Sequence, residues 1–224
     1  MVRVNIVVEG QTEETFVRDV LGPFLGAQGV FVTARSVETG RKKNRIYRGG
    51  TIDYEQCRGD IELWLKQDSA HVSTMFDLYA LPQDFPGAGP VGQFMSGVDR
   101  ALAIELAIRT KVGSRRFMPY IQVFEFEALL FSDVHATDEA LQVFNMNSQL
   151  NALTAMRAAF ANPEEIDDGV LTAPSKRIQQ LYPAYQKRVF GPEITKVIGI
   201  DHLRTECQHF GSWVTRLEQL ATAK

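Results

Sequence analysis

The sequence predicts an α/β fold, in which a mostly parallel sheet is covered by helices on both faces. Apolar, β-rich runs alternate with segments of helical periodicity as far as Asp133, which is the order of successive βαβ units. After that position the patterns are almost all helical. We therefore expect an α/β domain over residues 1–135 and a helical C-terminal lobe over residues 136–224 that packs on it.

The first elements follow from local signals. Val2 to Val8 forms the first predicted strand, and Thr12 is the expected N-cap of the next helix, because acidic residues in the first turn suit the helix dipole. A second strand is predicted over residues 30–37. Residues 35–50, RSVETGRKKNRIYRGG, are polar, basic and end in glycine, so we expect an exposed loop there.

The later elements alternate in the same way. A helix, a strand, a proline- and glycine-rich loop, a second helix and a strand are predicted in turn over residues 54–67, 71–77, 81–90, 94–108 and 119–125. In the C-terminal lobe, helical periodicity marks the segments TDEALQVF, SQLNALTAMRAAF, SKRIQQLY and HFGSWVTRLEQL.

Composition excludes several classes of protein. Hydrophobic residues make up 45% and charged residues 23% of the 224 positions, as in ordinary globular proteins, and the net charge is −3. Cys57 and Cys207 are far apart and form no CxxC pair, which argues against a disulfide framework or a cysteine zinc site. No apolar run is long enough for a membrane helix, so we expect a cytoplasmic protein without a membrane partner.

Three predicted strands end in acidic residues. Glu9 follows the first strand, Asp77 ends the strand before the proline-rich loop, and Glu125 and Glu127 follow the last strand. Because the carboxyl ends of parallel strands meet at one edge of a sheet, where ligands bind, we expect these side chains to lie close together. Glu13, one helical turn further on, is placed to face the same edge. A single acid at the end of a strand is most often a helix cap or a surface residue, but three in one α/β unit favour a shared site.

A divalent cation would make such an acidic site stable. Crowded carboxylates repel one another and raise each other's pKa unless a cation is present. Mg²⁺ or Mn²⁺ resolves this repulsion, because hard divalent ions take oxygen ligands. Such an ion orients and deprotonates water and stabilises charge at a phosphodiester. The acids therefore predict a Mg²⁺ or Mn²⁺ site with hydrolytic chemistry.

These residues carry a resemblance to Toprim domains. The run VVEGQTEE, which contains Glu9, looks like the first motif of that family, and TMFDLY supplies Asp77 in the context of its second motif, an Asp-x-Asp. FEFEALLF is similar to the FExWLL run of small Toprim nucleases of the RloB-like and OLD-like kind, which aligns Glu127 with the family glutamate. The resemblance implies a Toprim, Rossmann-like sheet and a metal-dependent nuclease.

A closer resemblance is to a bacterial Toprim-like domain family of unknown function. That family carries FDxYxLPxDFPG, FEFEALLFSD, APSKRI and a terminal CxHFxxW. This chain has matching runs at residues 76–87, 124–133, 173–178 and 207–213, so the resemblance covers nearly its whole length. Members are often encoded beside AAA-type ATPases in mobile or defence-like regions, which implies an ATPase partner and a role against foreign nucleic acid.

One departure from the Toprim pattern concerns the second motif. Tyr79 stands where the second acid of Asp-x-Asp is expected, so a direct or water-mediated contact to a second metal is missing. Asp84 and Glu125 are the acids that the sequence offers as substitutes. A one-metal site, or a site that only binds, is the alternative.

Two basic stretches predict contacts with phosphate. The segment at residues 35–50 concentrates cations in an acidic protein, and its tyrosine offers stacking on an unpaired base. The nucleic-acid-binding candidates there are Arg41, Lys42, Lys43, Arg45, Tyr47 and Arg48. The segment at residues 173–188, APSKRIQQLYPAYQKR, carries four cations: Lys176, Arg177, Lys187 and Arg188. Of these, Lys176 and Arg177 are catalytic candidates for stabilising developing charge. Solvation of a loop and of a helix face is the alternative explanation for each stretch.

The leading hypothesis is a Mg²⁺- or Mn²⁺-dependent nuclease that acts on DNA or RNA. In this hypothesis Glu9, Asp77 and Glu127 hold the metal, while Glu13 and Glu125 are further ligands or a proton acceptor. The alternative is a non-catalytic subunit that binds nucleic acid or an ATPase, which the missing second acid favours. A primase- or topoisomerase-like activity is the weakest hypothesis, since no nucleophilic tyrosine can be nominated. The fold does not select among these activities, and the sequence does not define the oligomeric state.

Overall fold

The central element is a five-stranded parallel sheet. This computed structural model describes residues 1–42, 45–48, 53–79, 81–89, 96–166, 169 and 171–222, and it describes residues 38–42 and 45–48 by their backbone alone. The strands of the sheet are β1 (Val2–Val8), β2 (Val30–Ser36), β5 (Ala70–Asp77), β6 (Phe117–Met118) and β7 (Ile121–Gln122). Their order is β2-β1-β5-β6, and β7 pairs with the end of β5. All pairs are parallel, which confirms the predicted fold class.

The strand β5 runs two residues beyond the end of β1. Val8 pairs in register with Ser36 of β2 on one side and with Met75 of β5 on the other. The Glu9 N–H then donates to the Met75 carbonyl oxygen over 3.3 Å. Side chains that follow these strands therefore leave the sheet at the same place, which we call the carboxyl edge.

Helices cover both faces of the sheet. Those of the first half are α1 (Gln11–Phe16), α2 (Gly22–Gly26), α3 (Tyr54–Leu65) and α4 (Gly97–Val112), and a π-helical turn at Val17–Leu21 joins the first two. The later helices are α5 (Val134–Val143), α6 (Leu150–Arg157), α7 (Pro174–Leu181), α8 (Lys187–Ile198), α9 (Ile200–Glu206) and α10 (Gln208–Gln219). Short 3₁₀ helices lie at Phe126–Ser132 and Pro163–Glu165.

Most predicted helices are confirmed, and two were missed. The four helical segments named for the C-terminal lobe correspond to α5, α6, α7 and α10. The sequence analysis omitted α8 and α9, because Pro192 lies inside α8 and Gly199 separates the two helices. Proline and glycine usually end a helix. Here Gly199 does so at φ 83°, whereas Pro192 is accommodated within the helix.

The exposed loop predicted for residues 35–50 is wrong over much of its length. Its backbone forms an antiparallel hairpin of β3 (Glu38–Lys42) and β4 (Arg45–Arg48), with an irregularity in register near Gly40. Lys43, Asn44, Gly49 and Gly50 lie outside the described residues. The prediction failed because it rested on polar composition, whereas the ladder of a hairpin is made by backbone groups.

Thr12 is not the N-cap of α1. The cap is Gly10, which has an extended backbone, and its N–H donates to the Glu13 side chain over 2.9 Å. Thr12 is instead a buried residue of the first turn. The carboxylate three residues after the cap therefore satisfies a backbone donor, as in a capping box.

The helices after residue 135 divide between two hydrophobic cores. Residues of α9 and α10, including Leu203 and Trp213, share one core with β1 and α1 on one face of the sheet. Helices α3 and α4 cover the other face. Helices α5 to α8 enclose a separate cluster around Leu141 and Ile178. The C-terminal part thus contributes to the core of the sheet as well as forming a helical layer beside it.

Replacing Gly211 with alanine is expected to destabilise the protein by about 2–3 kcal/mol. A Cβ at this position of α10 would lie 2.4 Å from the backbone carbonyl oxygen of Arg204, so the two helices would have to separate. The matched control is Gly59→Ala in α3, where an added Cβ meets nothing within 4 Å. That change is expected to stabilise the protein by about 0.5–1 kcal/mol. Urea unfolding of both variants measures the difference, and equal midpoints would contradict the expected clash.

Candidate functional site

Five carboxylates converge at the carboxyl edge. Glu9 directly follows β1, Asp77 is the last residue of β5, and Glu13 lies in the first turn of α1. Glu125 and Glu127 flank the first residue of the 3₁₀ helix that follows β7. The Asp77 N–H donates to Glu9 Oε2 over 3.4 Å, which joins the ends of the two central strands. The structure thus brings together all five acids that the sequence nominated.

A strained backbone aims Glu125 at this site. Phe124 adopts a left-handed conformation, with φ 58°, which costs a non-glycine residue on the order of 1–3 kcal/mol. Its carbonyl oxygen accepts the Tyr79 N–H over 2.8 Å. Its ring lies against Gly97 at the start of α4, where an added Cβ would come within 2.8 Å of the ring. These contacts hold the turn between β7 and the 3₁₀ helix.

A lysine and a serine from the C-terminal helices bind Glu125. Lys187 is the first residue of α8, and its Nζ lies 3.0 Å from Glu125 Oε1 and 3.1 Å from Glu127 Oε2. Ser175, in the first turn of α7, donates its N–H to Glu125 Oε2 over 2.8 Å and its hydroxyl to Oε1 over 3.0 Å. Both oxygens of Glu125 are therefore engaged, and a cation lies between two of the acids.

Close packing fixes the start of α8 against α1. A Cβ added at Gly191 would lie 3.1 Å from the Phe126 ring and 3.4 Å from the Thr12 methyl group. The Tyr185 hydroxyl, just before α8, donates to Glu127 Oε1 over 3.3 Å. A glycine at position 191 therefore lets α8 approach closely enough to deliver Lys187 to the carboxyl edge.

Burial raises the pKa of the carboxylates at this edge. Burial raises the pKa of Glu127 to about 7, against the opposing attraction of Lys187. It also raises the pKa of Glu13 to about 7, with a further contribution from the charge of Glu9. Burial and then the charges of neighbouring acids raise the pKa of Asp77 well above its usual value. The one ammonium at this edge therefore does not offset the cost of burying these carboxylates in ionised form, and an added cation would favour their ionisation.

Hydrogen bonding leaves some of these oxygens open. Asp77 Oδ1 is buried without a hydrogen-bond partner, and so is Glu127 Oε2, because Lys187 approaches it without hydrogen-bond geometry. Unpaired buried oxygens are rare in proteins and often mark a missing ion or a functional site. Hard oxygen donors of this kind suit Mg²⁺. Nevertheless, within the described residues no three His, Cys, Asp or Glu side chains are arranged so that they could hold a metal ion. The donors fit such an ion in kind, and their side chains would have to turn toward a common centre.

Other nominated residues lie in different surroundings. Asp84 Oδ2 accepts the Tyr54 N–H over 2.8 Å at the start of α3, so this carboxylate does not replace the missing second acid. Lys176 is exposed on α7. Arg177 donates its Nε hydrogen to the Thr172 carbonyl oxygen over 2.6 Å and lies over the Phe160 ring. Their predicted role in charge stabilisation stays a prediction.

The basic hairpin begins at the carboxyl edge. The last residue of β2, Ser36, is level with Val8, and the Val37 N–H donates to the Val8 carbonyl oxygen over 3.0 Å. The β3–β4 hairpin, which we call the basic hairpin, follows directly. Its first residue, Glu38, lies two residues after Ser36. The described residues include no side-chain placement for the hairpin, and its predicted binding of nucleic acid stays a prediction.

Sequence reasoning missed three residues of the site. Lys187 was noticed as a cation near the APSKRI run, but Lys176 and Arg177 were nominated in its place. Ser175 and Tyr185 were not nominated. The contacts of all three depend on how α7 and α8 dock against the sheet, which one sequence does not reveal.

Comparison with known families assigns the chain. Residues 8–218 match the family described as "Domain of unknown function (DUF4276)". The chain belongs to this family. No curated protein sequence matches this DUF4276 chain. Within the described residues no helix is both long and apolar enough to cross a membrane.

Solved structures give more distant similarities to this DUF4276 protein. The C-terminal region of the Burkholderia pseudomallei OLD protein is similar at 15% identity and a TM-score of 0.49, over 99% of each chain. The C-terminal region of the Xanthomonas campestris pv. campestris OLD protein, phased with platinum, is similar at 17% identity and a TM-score of 0.39, over 99% of this chain and 98% of that chain.

Proposed function

We propose that this DUF4276 protein is a Toprim-type, Mg²⁺- or Mn²⁺-dependent nuclease that hydrolyses phosphodiester bonds of DNA or RNA. The observation that carries the proposal is the unpartnered, buried Asp77 Oδ1 at the centre of a five-carboxylate cluster. A protein gains nothing in stability from such an oxygen. A site that binds a cation accounts for it.

The acids divide by their contacts into ligands and supports. Asp77 and Glu127 each have a buried oxygen without a hydrogen-bond partner, and Glu9 lies beside Asp77, whose N–H it accepts. These three acids would hold the metal. When bound, the ion would polarise a phosphate oxygen and lower the pKa of a water molecule. Glu125, whose oxygens are engaged by Ser175 and Lys187, orients that lysine.

Two residues of the cluster are suited to proton transfer. Burial raises the pKa values of Glu13 and Glu127 to about 7, where a carboxyl group can both take up and release a proton at neutral pH. Glu13 also accepts the Gly10 N–H, which keeps its carboxylate at the end of β1. We assign Glu13 as the proton acceptor for the attacking water, because Glu127 is a ligand in this proposal.

The basic hairpin supplies the nucleic-acid contacts in this proposal. Its backbone leaves the sheet beside Glu9, and its sequence carries the cations that bind phosphate without sequence preference. Binding should therefore weaken steeply with salt. An AAA-type ATPase partner and a role in defence against foreign nucleic acid belong to the same proposal, and so does a cytoplasmic location.

Cleavage of nucleic acid by a matched set of variants tests the proposal. Wild-type protein is expected to cut plasmid DNA or RNA with Mg²⁺ or Mn²⁺ and to lose activity in EDTA. Glu9→Gln is expected to lower the rate at least about 100-fold. The control is Glu14→Gln in the first turn of α1, because the Glu14 carboxylate accepts the Ser36 hydroxyl instead of contacting the cluster. Wild-type rates in Glu9→Gln would overturn the proposal.

The second candidate is a non-catalytic subunit that binds nucleic acid or an ATPase. Two observations favour it: Lys187 already lies between Glu125 and Glu127, and the described acids form no ready metal cage. Calorimetric titration with Mg²⁺ separates the candidates. A nuclease should bind the ion in the millimolar range or tighter, whereas a degenerate site should give no heat of binding.

A further inference from the structure

Lys187 occupies the position of a counter-ion in the acidic site. Its Nζ is 3.0 Å from Glu125 Oε1 and 3.1 Å from Glu127 Oε2, and the two carboxylates are 5% and 1% exposed, so they are almost fully removed from water. The lysine side chain itself is 38% exposed. The ammonium is therefore held by buried charge, while part of the lysine side chain is exposed to solvent.

The two contacts of this ammonium differ in kind. The bond to Glu125 Oε1 has good geometry, and Ser175 holds the same carboxylate from the other side. The approach to Glu127 Oε2 is close but lacks hydrogen-bond geometry. The lysine is thus hydrogen-bonded to Glu125, whereas it forms only an ion pair with Glu127 Oε2, which has no hydrogen-bond partner.

We propose that Lys187 is a resident cation that a divalent metal displaces from Glu127, so that the ammonium and the metal compete for the same carboxylate. This inference rests on the proposed metal site and adds a control on it. In the metal-free protein the lysine partly neutralises the acids and keeps their carboxylates from turning toward a common centre. When a metal enters, the ammonium withdraws from Glu127 and keeps its bond to Glu125, the carboxylate that Ser175 also holds.

Competition accounts for two facts that otherwise disagree. The cluster has open, buried oxygens that fit a hard cation, yet the described acids do not form a three-ligand group. If the ammonium of Lys187 already neutralises Glu127, nothing draws the metal-free carboxylates toward a common centre. Removing that charge should make convergence on a divalent ion more favourable.

The first experiment compares Mg²⁺ and Mn²⁺ affinity by calorimetry in variants of the full chain. Lys187→Met, which keeps the length of the stem but removes the charge, is expected to bind at least about tenfold more tightly than wild type. Arg188→Met is the matched control, because it removes the next positive charge, which contacts Gln11 instead of the acids. It should change affinity much less. Lys187→Gln, which keeps a hydrogen-bond donor, replaces the methionine variant if that one does not fold.

A second measurement follows the lysine directly and does not depend on activity. Reductive methylation with mass spectrometry should label Lys187 slowly without metal, and several-fold faster with saturating Mg²⁺. Lys196, an exposed residue of the same helix, serves as the internal reference. Unchanged relative labelling would overturn the displacement.

The outcomes separate this inference from the proposed function. If Lys187→Met binds Mg²⁺ with wild-type or weaker affinity, the competition is wrong while the metal site stands. If neither wild type nor any Lys187 variant binds Mg²⁺ or Mn²⁺, both the metal site and the competition are wrong. Binding that appears only in Lys187→Met would support the competition in its strongest form.

Discussion

Asp77→Asn is expected to stabilise the metal-free protein and to abolish its Mg²⁺-dependent activity. Burial and the charges of Glu13, Glu9 and Glu127 raise the pKa of Asp77 well above its usual value. At pH 8 folding must therefore either bury this carboxylate or protonate it, and both are unfavourable. Asparagine is nearly the same size and avoids the penalty, so we expect a gain of about 2 kcal/mol, or a Tm higher by roughly 4–8 °C.

The pH dependence of that gain is the control. A carboxyl group whose pKa is raised on folding destabilises the folded state only where the unfolded chain is ionised, above about pH 4. The difference in Tm between Asp77→Asn and wild type should therefore be large at pH 8 and vanish near pH 4. Thermal unfolding in EDTA measures it, and nuclease assays with Mg²⁺ give the loss of activity. A variant that is less stable than wild type at pH 8 would contradict the assignment of Asp77 as an unsatisfied group.

Stabilisation by Mg²⁺ is expected to grow with pH over the range in which Glu127 ionises. Burial raises the pKa of this group from 4.5 to about 7. Below about pH 4.5 the group is protonated in both the folded and the unfolded chain, so it has no effect on stability. Between pH 4.5 and 7 the unfolded chain loses the proton first, and folded-state stability falls by on the order of 3 kcal/mol.

Metal reverses this loss, because it binds the ionised carboxylate and releases the proton. The Tm in EDTA should therefore fall from pH 5 to pH 8 more steeply in wild type than in Glu127→Gln. The shift in Tm on adding Mg²⁺ should rise over the same range in wild type and stay small in the variant. Glu55→Gln, on an exposed face of α3, controls for the removal of a surface charge. Parallel curves for wild type and Glu127→Gln would contradict this prediction.

The sheet and the cluster at its edge could be predicted because short-range signals determine them. The end of β1 is marked by the change from an apolar run to Glu9 and glycine, and parallel topology then places Glu9 and Asp77 at the same edge of the sheet. The same reasoning extends to Glu125 and Glu127, which follow the last strand. These inferences need only the common direction of the strands.

The cation of the site could not be predicted, because its position depends on long-range docking. Lys187 and Ser175 reach Glu125 from 62 and 50 positions further along the chain. The close approach that brings them there depends on Gly191 and on the shape of Phe126, and neither has a local signature. Four basic residues near the APSKRI run looked alike in sequence, and only packing distinguishes them.

The anchoring of Glu125 by the later helices has a consequence for how this protein can vary. The acids at the carboxyl edge and the lysine of α8 neutralise one another, so a substitution that removes charge from one side leaves the other side unpaired. A relative that lost Lys187 would be expected to lose one of the acids that it touches, or to gain a cation from another segment. Relatives that keep both Lys187 and its acidic partners are thus expected to keep the chemistry of this site. Relatives that have lost both are expected to have lost that chemistry.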